Sequence, residues 1–215
     1  MNPPAPLPQF QSRIVPVVIV ADAAQAVPMA QALLAGGIDV MEITLRSDAA
    51  LAAIEAVARA VPAMRVGAGT VTRAAEVAQV QSAGASFGLS PGATPALLEA
   101  VRAARLPFVP GVATPTEAMA ARDAGFGLLK CFPAAQLGGV EVLKAWGGPL
   151  PDLRFCPTGG VSPANLASFL ALPNVALIGG SWLTPAAAVA AGDWEQITRL
   201  AREATAAAAA IPAAR

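Results

Sequence analysis

Phe126-Gly127-Leu128-Leu129-Lys130-Cys131-Phe132-Pro133-Ala134 reads as a short buried strand, apolar on both faces, that carries a lysine near its end. A charged amine in such a place is costly unless it is paired, deprotonated or used in chemistry. Lysine is also the side chain best suited to forming an imine with a carbonyl. The plainer reading is a lysine whose stem is buried and whose head reaches water. The choice depends on what surrounds the segment, and the same kind of segment recurs along the chain.

Upstream, the β-branched run Ile14 to Val20 predicts a first strand, and a helix follows over 21–36 with Asp22 as N-cap and Gly36-Gly37 as the stop. Further strands are predicted over 38–44, 64–70, 86–90 and 107–110. The intervening helices run over 47–61, 73–83, 94–104 and 115–124. Downstream lie a helix over 139–146, a strand over 153–158, a helix led by Ser162-Pro163 to Leu170, a strand over 175–178 and a closing helix over 194–210. Eight strand-then-helix units with no break in composition imply a parallel sheet closed on itself: an α/β fold, a single-domain (β/α)8 TIM barrel. The expected organisation is a proline-rich lead over 1–13 followed by a barrel over 14–215. The rival, an open doubly wound sheet, calls for a Gly-rich first turn, and Val20-Ala21-Asp22-Ala23 has none.

Composition narrows the chemistry. The 14 basic and 14 acidic residues balance, so the chain carries no electrostatic footprint for nucleic acid or an anionic membrane. No apolar run reaches the ~18 residues of a membrane span, and the proline-rich start does not read as a secretory signal. Cys131 and Cys156 sit in apolar segments without metal-like spacing, which predicts core thiols and a cytoplasmic setting. Histidine and tyrosine are both absent, so a histidine-based metal site and a Ser-His-Asp triad are excluded. Proton transfer falls to carboxylates, lysine, water or substrate. Lys130 and Lys144 are the chain's only lysines, which makes the placement of Lys130 more noticeable.

A barrel's active site lies at the C-terminal ends of its strands, where period two separates lumen-facing from helix-facing side chains. Glu42, Thr44 and Arg46 share one face of the second strand. Lys130 and Phe132 share a face of the sixth, leaving Cys131 under the helices, and Thr70 ends the third. Glu42 and Lys130 then point into one lumen. They form either a buried ion pair that fixes register or an imine-forming amine with a carboxylate to move its protons. Their position at the catalytic end, beside Thr44, Arg46, Thr70 and Phe132, favours chemistry. The glycine-rich loops Thr158-Gly159-Gly160-Val161-Ser162 and Gly179-Gly180-Ser181-Trp182 follow the last two strands, the usual phosphate-binding position of a barrel.

Six segments, Glu42-Ile43-Thr44-Leu45-Arg46, Gly67-Ala68-Gly69-Thr70-Val71, Ser90-Pro91-Gly92, Leu129-Lys130-Cys131-Phe132-Pro133-Ala134, Pro157-Thr158-Gly159-Gly160-Val161 and Gly179-Gly180-Ser181-Trp182, together resemble the bacterial 2-keto-3-deoxy-6-phosphogluconate aldolases, also called 2-dehydro-3-deoxy-phosphogluconate/4-hydroxy-2-oxoglutarate aldolases. The resemblance runs in order from about Val15 to Pro185. It implies a metal-free, cofactor-free class I aldolase of the Entner–Doudoroff pathway that forms pyruvate and glyceraldehyde 3-phosphate. It carries the Schiff-base lysine onto Lys130 and the general base onto Glu42. The pyruvate-carboxylate contacts fall on Arg46 and Thr70, the pocket lining on Pro91 and Phe132, with Thr158 near the substrate. The phosphate contacts fall on Gly159, Gly160, Gly180 and Ser181. A homotrimer is implied as well. The proline-rich start departs from the helical start common in the family. Rival readings are an aldolase for the 6-phosphogalactonate epimer or for 4-hydroxy-2-oxoglutarate, a phosphate-binding isomerase or epimerase barrel, and a non-catalytic sugar-phosphate-binding module.

Overall fold

The computed structural model describes residues 3–212; the first two residues of the expected lead and the last three of the chain lie outside it. The strands are β1 Ile14–Val18, β2 Val40–Thr44, β3 Arg65–Gly69, β4 Phe87–Leu89, β5 Phe108–Val109, β6 Gly111–Val112, β7 Leu128–Cys131, β8 Arg154–Phe155 and β9 Ile178–Gly180. All pairs are parallel, in the orders β5-β4-β3-β2-β1-β9 and β6-β7-β8. The two sheets are one ring. β5 and β6 are halves of a single strand interrupted at Pro110, which has no N–H to give the ladder but accepts a bond from the Lys130 N–H at 2.8 Å. On the other side, isolated bridges Phe155↔Val175 and Thr158↔Gly179 join β8 to the β9 segment. The expected eight-stranded parallel barrel is therefore present.

The helices α1 Ala26–Ala35, α2 Ala50–Ala60, α3 Ala74–Ser82, α4 Pro95–Ala103, α5 Pro115–Asp123, α6 Val140–Gly147, α7 Leu166–Leu170, α8 Ala186–Ala191 and α9 Trp194–Ala209 follow the strands. Their starts obey the expected capping chemistry. The Asp22 side chain accepts from Ala24 N at 2.9 Å ahead of a 3-10 turn, Ala23–Gln25. Thr94 and Thr114 accept from the N–H groups of Leu97 and Glu117, each with proline in the first turn.

Three expectations are corrected. The helix after Ser162-Pro163 begins only at Leu166, because Asn165 Oδ1 takes the Ser162 N–H at 2.8 Å and holds the segment in a turn. The last strand lies at 178–180 rather than 175–178: it pairs with β1, which begins at Ile14, so the ladder starts where the Ile178 N–H meets the Arg13 carbonyl at 2.9 Å. Gly179 and Gly180 accordingly belong to the strand and not to the following loop. Helix α8, six residues of mostly alanine, was not anticipated; its uniform composition has no apolar periodicity to reveal it.

The lead packs across the N-terminal end of the ring. Phe10 lies 5.2 Å, centroid to centroid, from Phe87. The Gln11 and Ser12 N–H groups donate to the Asp39 carboxylate at 2.8 and 2.9 Å. Arg13 ties the lead to the far side of the ring: its guanidinium donates to the carbonyls of Leu170 and Ile211 at 3.0 and 3.2 Å.

Candidate active site

Register partners in a parallel ladder face the same side of the sheet. Val17 lies opposite Glu42, Glu42 opposite Gly67 and Gly67 opposite Phe87, while Gly111 lies opposite Lys130. These positions share the lumen face. Outside it, Met41, Ile43, Leu129 and Cys131 are fully buried beneath the helices, so the alternation expected from the sequence holds on both strands.

Glu42 and Lys130 meet at the centre. Lys130 Nζ donates to Oε1 of Glu42 at 2.8 Å and to Oε2 at 3.1 Å, and both residues are buried. Space for the carboxylate comes from Gly69, where a Cβ would fall within the Glu42 side chain. Gly67 likewise leaves room for the Phe87 ring that closes the lumen below, and Gly179 for the Thr158 side chain. Sequence reading attached the glycine of 179 to a phosphate loop; its immediate effect is to admit a threonine to the lumen wall.

The remaining expected residues lie at or just beyond the C-terminal ends of the strands. Phe132 is half-buried, with Lys130 Nζ 5.8 Å from its ring centroid. The Thr44 hydroxyl is buried and donates to the Val18 carbonyl at 2.9 Å, tying β2 to the end of β1. Arg46, two residues beyond Thr44, is exposed. Thr70 is half-buried with φ at 59°, a left-handed conformation unusual for a β-branched residue and characteristic of functional sites. Pro91 is half-buried, Thr158 buried, and Ser181 exposed. Gly159 and Gly160 have φ of 92° and 78°, conformations that only glycine adopts without strain. Their backbone supplies the concave turn an anion favours. The helices that follow, α7 and α8, span only 5 and 6 residues, so any anion site here rests on the backbone turn and not on a helix dipole.

Cys156 is the lumen residue that sequence reading left out. It occupies the position two before Thr158, so period two puts it on the same face, and its Sγ lies 3.9 Å from Thr158 Oγ1. Burial pushes its thiol up to about 12, the nearby Lys130 charge opposing and Glu42 reinforcing. Cys131, on the helix side, is pushed up to about 12 by burial. Neither thiol is set up as a nucleophile.

An amine and a carboxylate in mutual contact inside a parallel barrel, under a mouth carrying an arginine, threonines and a glycine turn, define a lysine-dependent barrel of the aldolase type. The chain belongs to the KDPG and KHG aldolase family, whose model it matches over residues 9–200. It is 51% identical to the 2-dehydro-3-deoxy-phosphogluconate aldolase of Pseudoalteromonas atlantica over 201 residues, 94% of each chain. A crystal structure of KDPG aldolase from Legionella pneumophila, with pyruvate captured as a covalent carbinolamine, superposes with a TM-score of 0.88 at 42% identity, covering 90% of this chain and 94% of that one. The Zymomonas mobilis 2-keto-3-deoxy-6-phosphogluconate aldolase with 3-phosphoglycerate gives 0.87 at 41% identity, covering 94% and 95%.

Proposed function

We infer that the protein is a class I aldolase that cleaves 2-keto-3-deoxy-6-phosphogluconate to pyruvate and glyceraldehyde 3-phosphate, with 4-hydroxy-2-oxoglutarate as a second substrate. The observation that carries this reading is the buried Lys130–Glu42 contact at the catalytic end of a barrel. The family membership supports it, as do the pyruvate adduct and the phosphorylated ligand in the related crystal structures.

In this reading Lys130, in its neutral form, attacks the C2 ketone while Arg46 and Thr70 hold the adjoining carboxylate. Glu42 passes a proton to the carbinolamine oxygen, water leaves, and the iminium forms. Glu42, through water, then takes the C4 hydroxyl proton. The C3–C4 electron pair moves into the iminium to give an enamine, and the aldehyde departs with its phosphate held by Gly159, Gly160, Gly180 and Ser181. Protonation at C3 and addition of water return pyruvate and the free amine. Pro91, Phe132 and Thr158 line the pocket. No step in this sequence calls for a metal or an organic cofactor.

Incubation with pyruvate and borohydride should add a reduced pyruvyl group to Lys130 alone; an intact, unmodified protein would refute the mechanism. A lactate dehydrogenase-coupled assay on the phosphogluconate substrate, its galacto epimer and 4-hydroxy-2-oxoglutarate ranks the substrates. A homotrimer is the assembly we infer, read out by light scattering as three times the 21.5 kDa chain. A cytoplasmic setting fits the two free thiols. No helix among the described residues is long and apolar enough to cross a membrane.

A further inference from the structure

Two large hydrophobic side chains are exposed among the described residues, Met119 on the outer helix α5 and Ile19 at 49%. Ile19 stands between Val18 and Val20, both fully buried. Ile19 follows directly on β1, and the strand's alternation continued by one residue turns its side chain opposite theirs, to the face that Val17 shares with Glu42 two residues below. It is also held in place: the Thr44 hydroxyl donates to the Val18 carbonyl, fixing the peptide that leads into Ile19. Around the ring, β1 lies between β9, where Pro16 pairs with Gly180, and β2, which carries Glu42. An exposed β-branched residue thus stands on the rim between the glycine turn side and the amine–carboxylate pair. Its apolar surface meets water until something carbon-rich covers it.

We propose that Ile19 is a specificity-determining residue, an apolar wall against the aldehyde-derived carbons that lie between the phosphate and the bond that breaks. This rests on the aldolase reading above. The residues assigned to the keto-acid carboxylate, Arg46 and Thr70, follow β2 and β3, while those assigned to the phosphate follow β8 and end β9 on the other side of β1, so in this reading the wall acts on the aldehyde half. Losing an apolar contact of this kind changes discrimination by roughly tenfold.

The test separates the two half-reactions. Exchange of the pyruvate methyl protons with deuterated water needs the amine and the carboxylate but no aldehyde. Addition of pyruvate to D-glyceraldehyde 3-phosphate needs all three. Ile19→Ala should exchange pyruvate protons within twofold of the parent, while kcat/KM for the aldehyde falls about tenfold, mostly through KM. Ile19→Val should recover most of the loss. An unchanged kcat/KM for the aldehyde in Ile19→Ala would overturn the proposal. Equal losses in both reactions would overturn it as well, since they would mean that Ile19 merely supports the catalytic pair. Absence of pyruvate exchange in the parent would overturn the aldolase reading itself, and the proposal with it.

Discussion

At the level of single residues the site is organised by what is missing as much as by what is present. Glu42 occupies volume that a Cβ on Gly69 would take. Gly69→Ala should therefore push the carboxylate off Lys130 and lower kcat by ~100-fold, the scale expected for misplacing a reacting group by about 1 Å. A retained circular dichroism spectrum would separate this from unfolding. Glu42→Gln keeps the volume and removes the proton acceptor; turnover should fall by about 1,000-fold while pyruvate still adds slowly to Lys130 under borohydride. Thr70 stores strain at φ 59°, of order 1–3 kcal/mol. Thr70→Gly relieves it, so thermal unfolding should show a gain of about 1 kcal/mol. Turnover should drop, because the hydroxyl assigned to the substrate carboxylate is gone.

Among the secondary-structure elements, the lead shows best what a sequence conceals. Strand existence was legible almost throughout, since β-branched runs bounded by Gly and Pro at regular intervals leave few alternatives. So was the pairing of Glu42 with Lys130, because period two fixes which side chains share a lumen. What the pattern does not carry is long-range closure. Nothing in Leu7 to Arg13 signals that Phe10 will stack on Phe87 or that Asp39 will receive two backbone N–H groups. Those contacts are set by the finished ring. The same holds for the last strand, whose position follows from β1 rather than from its own residues. Cys156 was within reach of the alternation that placed Glu42 and Lys130, but its apolar neighbours drew it into the general core. Phe10→Ala removes a half-buried ring and should cost about 2 kcal/mol of stability, measured by urea unfolding, with kcat unaffected because the plug and the mouth lie at opposite ends.

For the whole molecule, the two thiols make stability depend on alkaline pH. Each is raised from an ordinary 9.0 to about 12 by burial. Below pH 9 both states hold the protons and the thiols add no slope. Between about 9 and 12 the unfolded chain releases them and the folded one does not, so stability falls as pH rises. The slope is about 1.4 kcal/mol per pH unit for each thiol. Cys131→Ala should remove about half of that slope in urea unfolding curves recorded from pH 8 to 11. In the native protein, disulfide reagents should leave both thiols unmodified until the ring opens.

The bonds from Arg13 to the carbonyls of Leu170 and Ile211 have a topological consequence. They bring the beginning and the close of the ring to one spot, on the face away from the mouth. A circle of strand–helix units has no natural first member, and here a short linker from Ile211 to Arg13 would close the ring, since the Arg13 guanidinium already reaches the Ile211 carbonyl. Reopening the chain at the exposed Gly84 turn between α3 and β4 should give a circular permutant with the same ring and the same turnover. Connection order would then be a historical attribute of this chain, while the arrangement around Lys130 is a physical one.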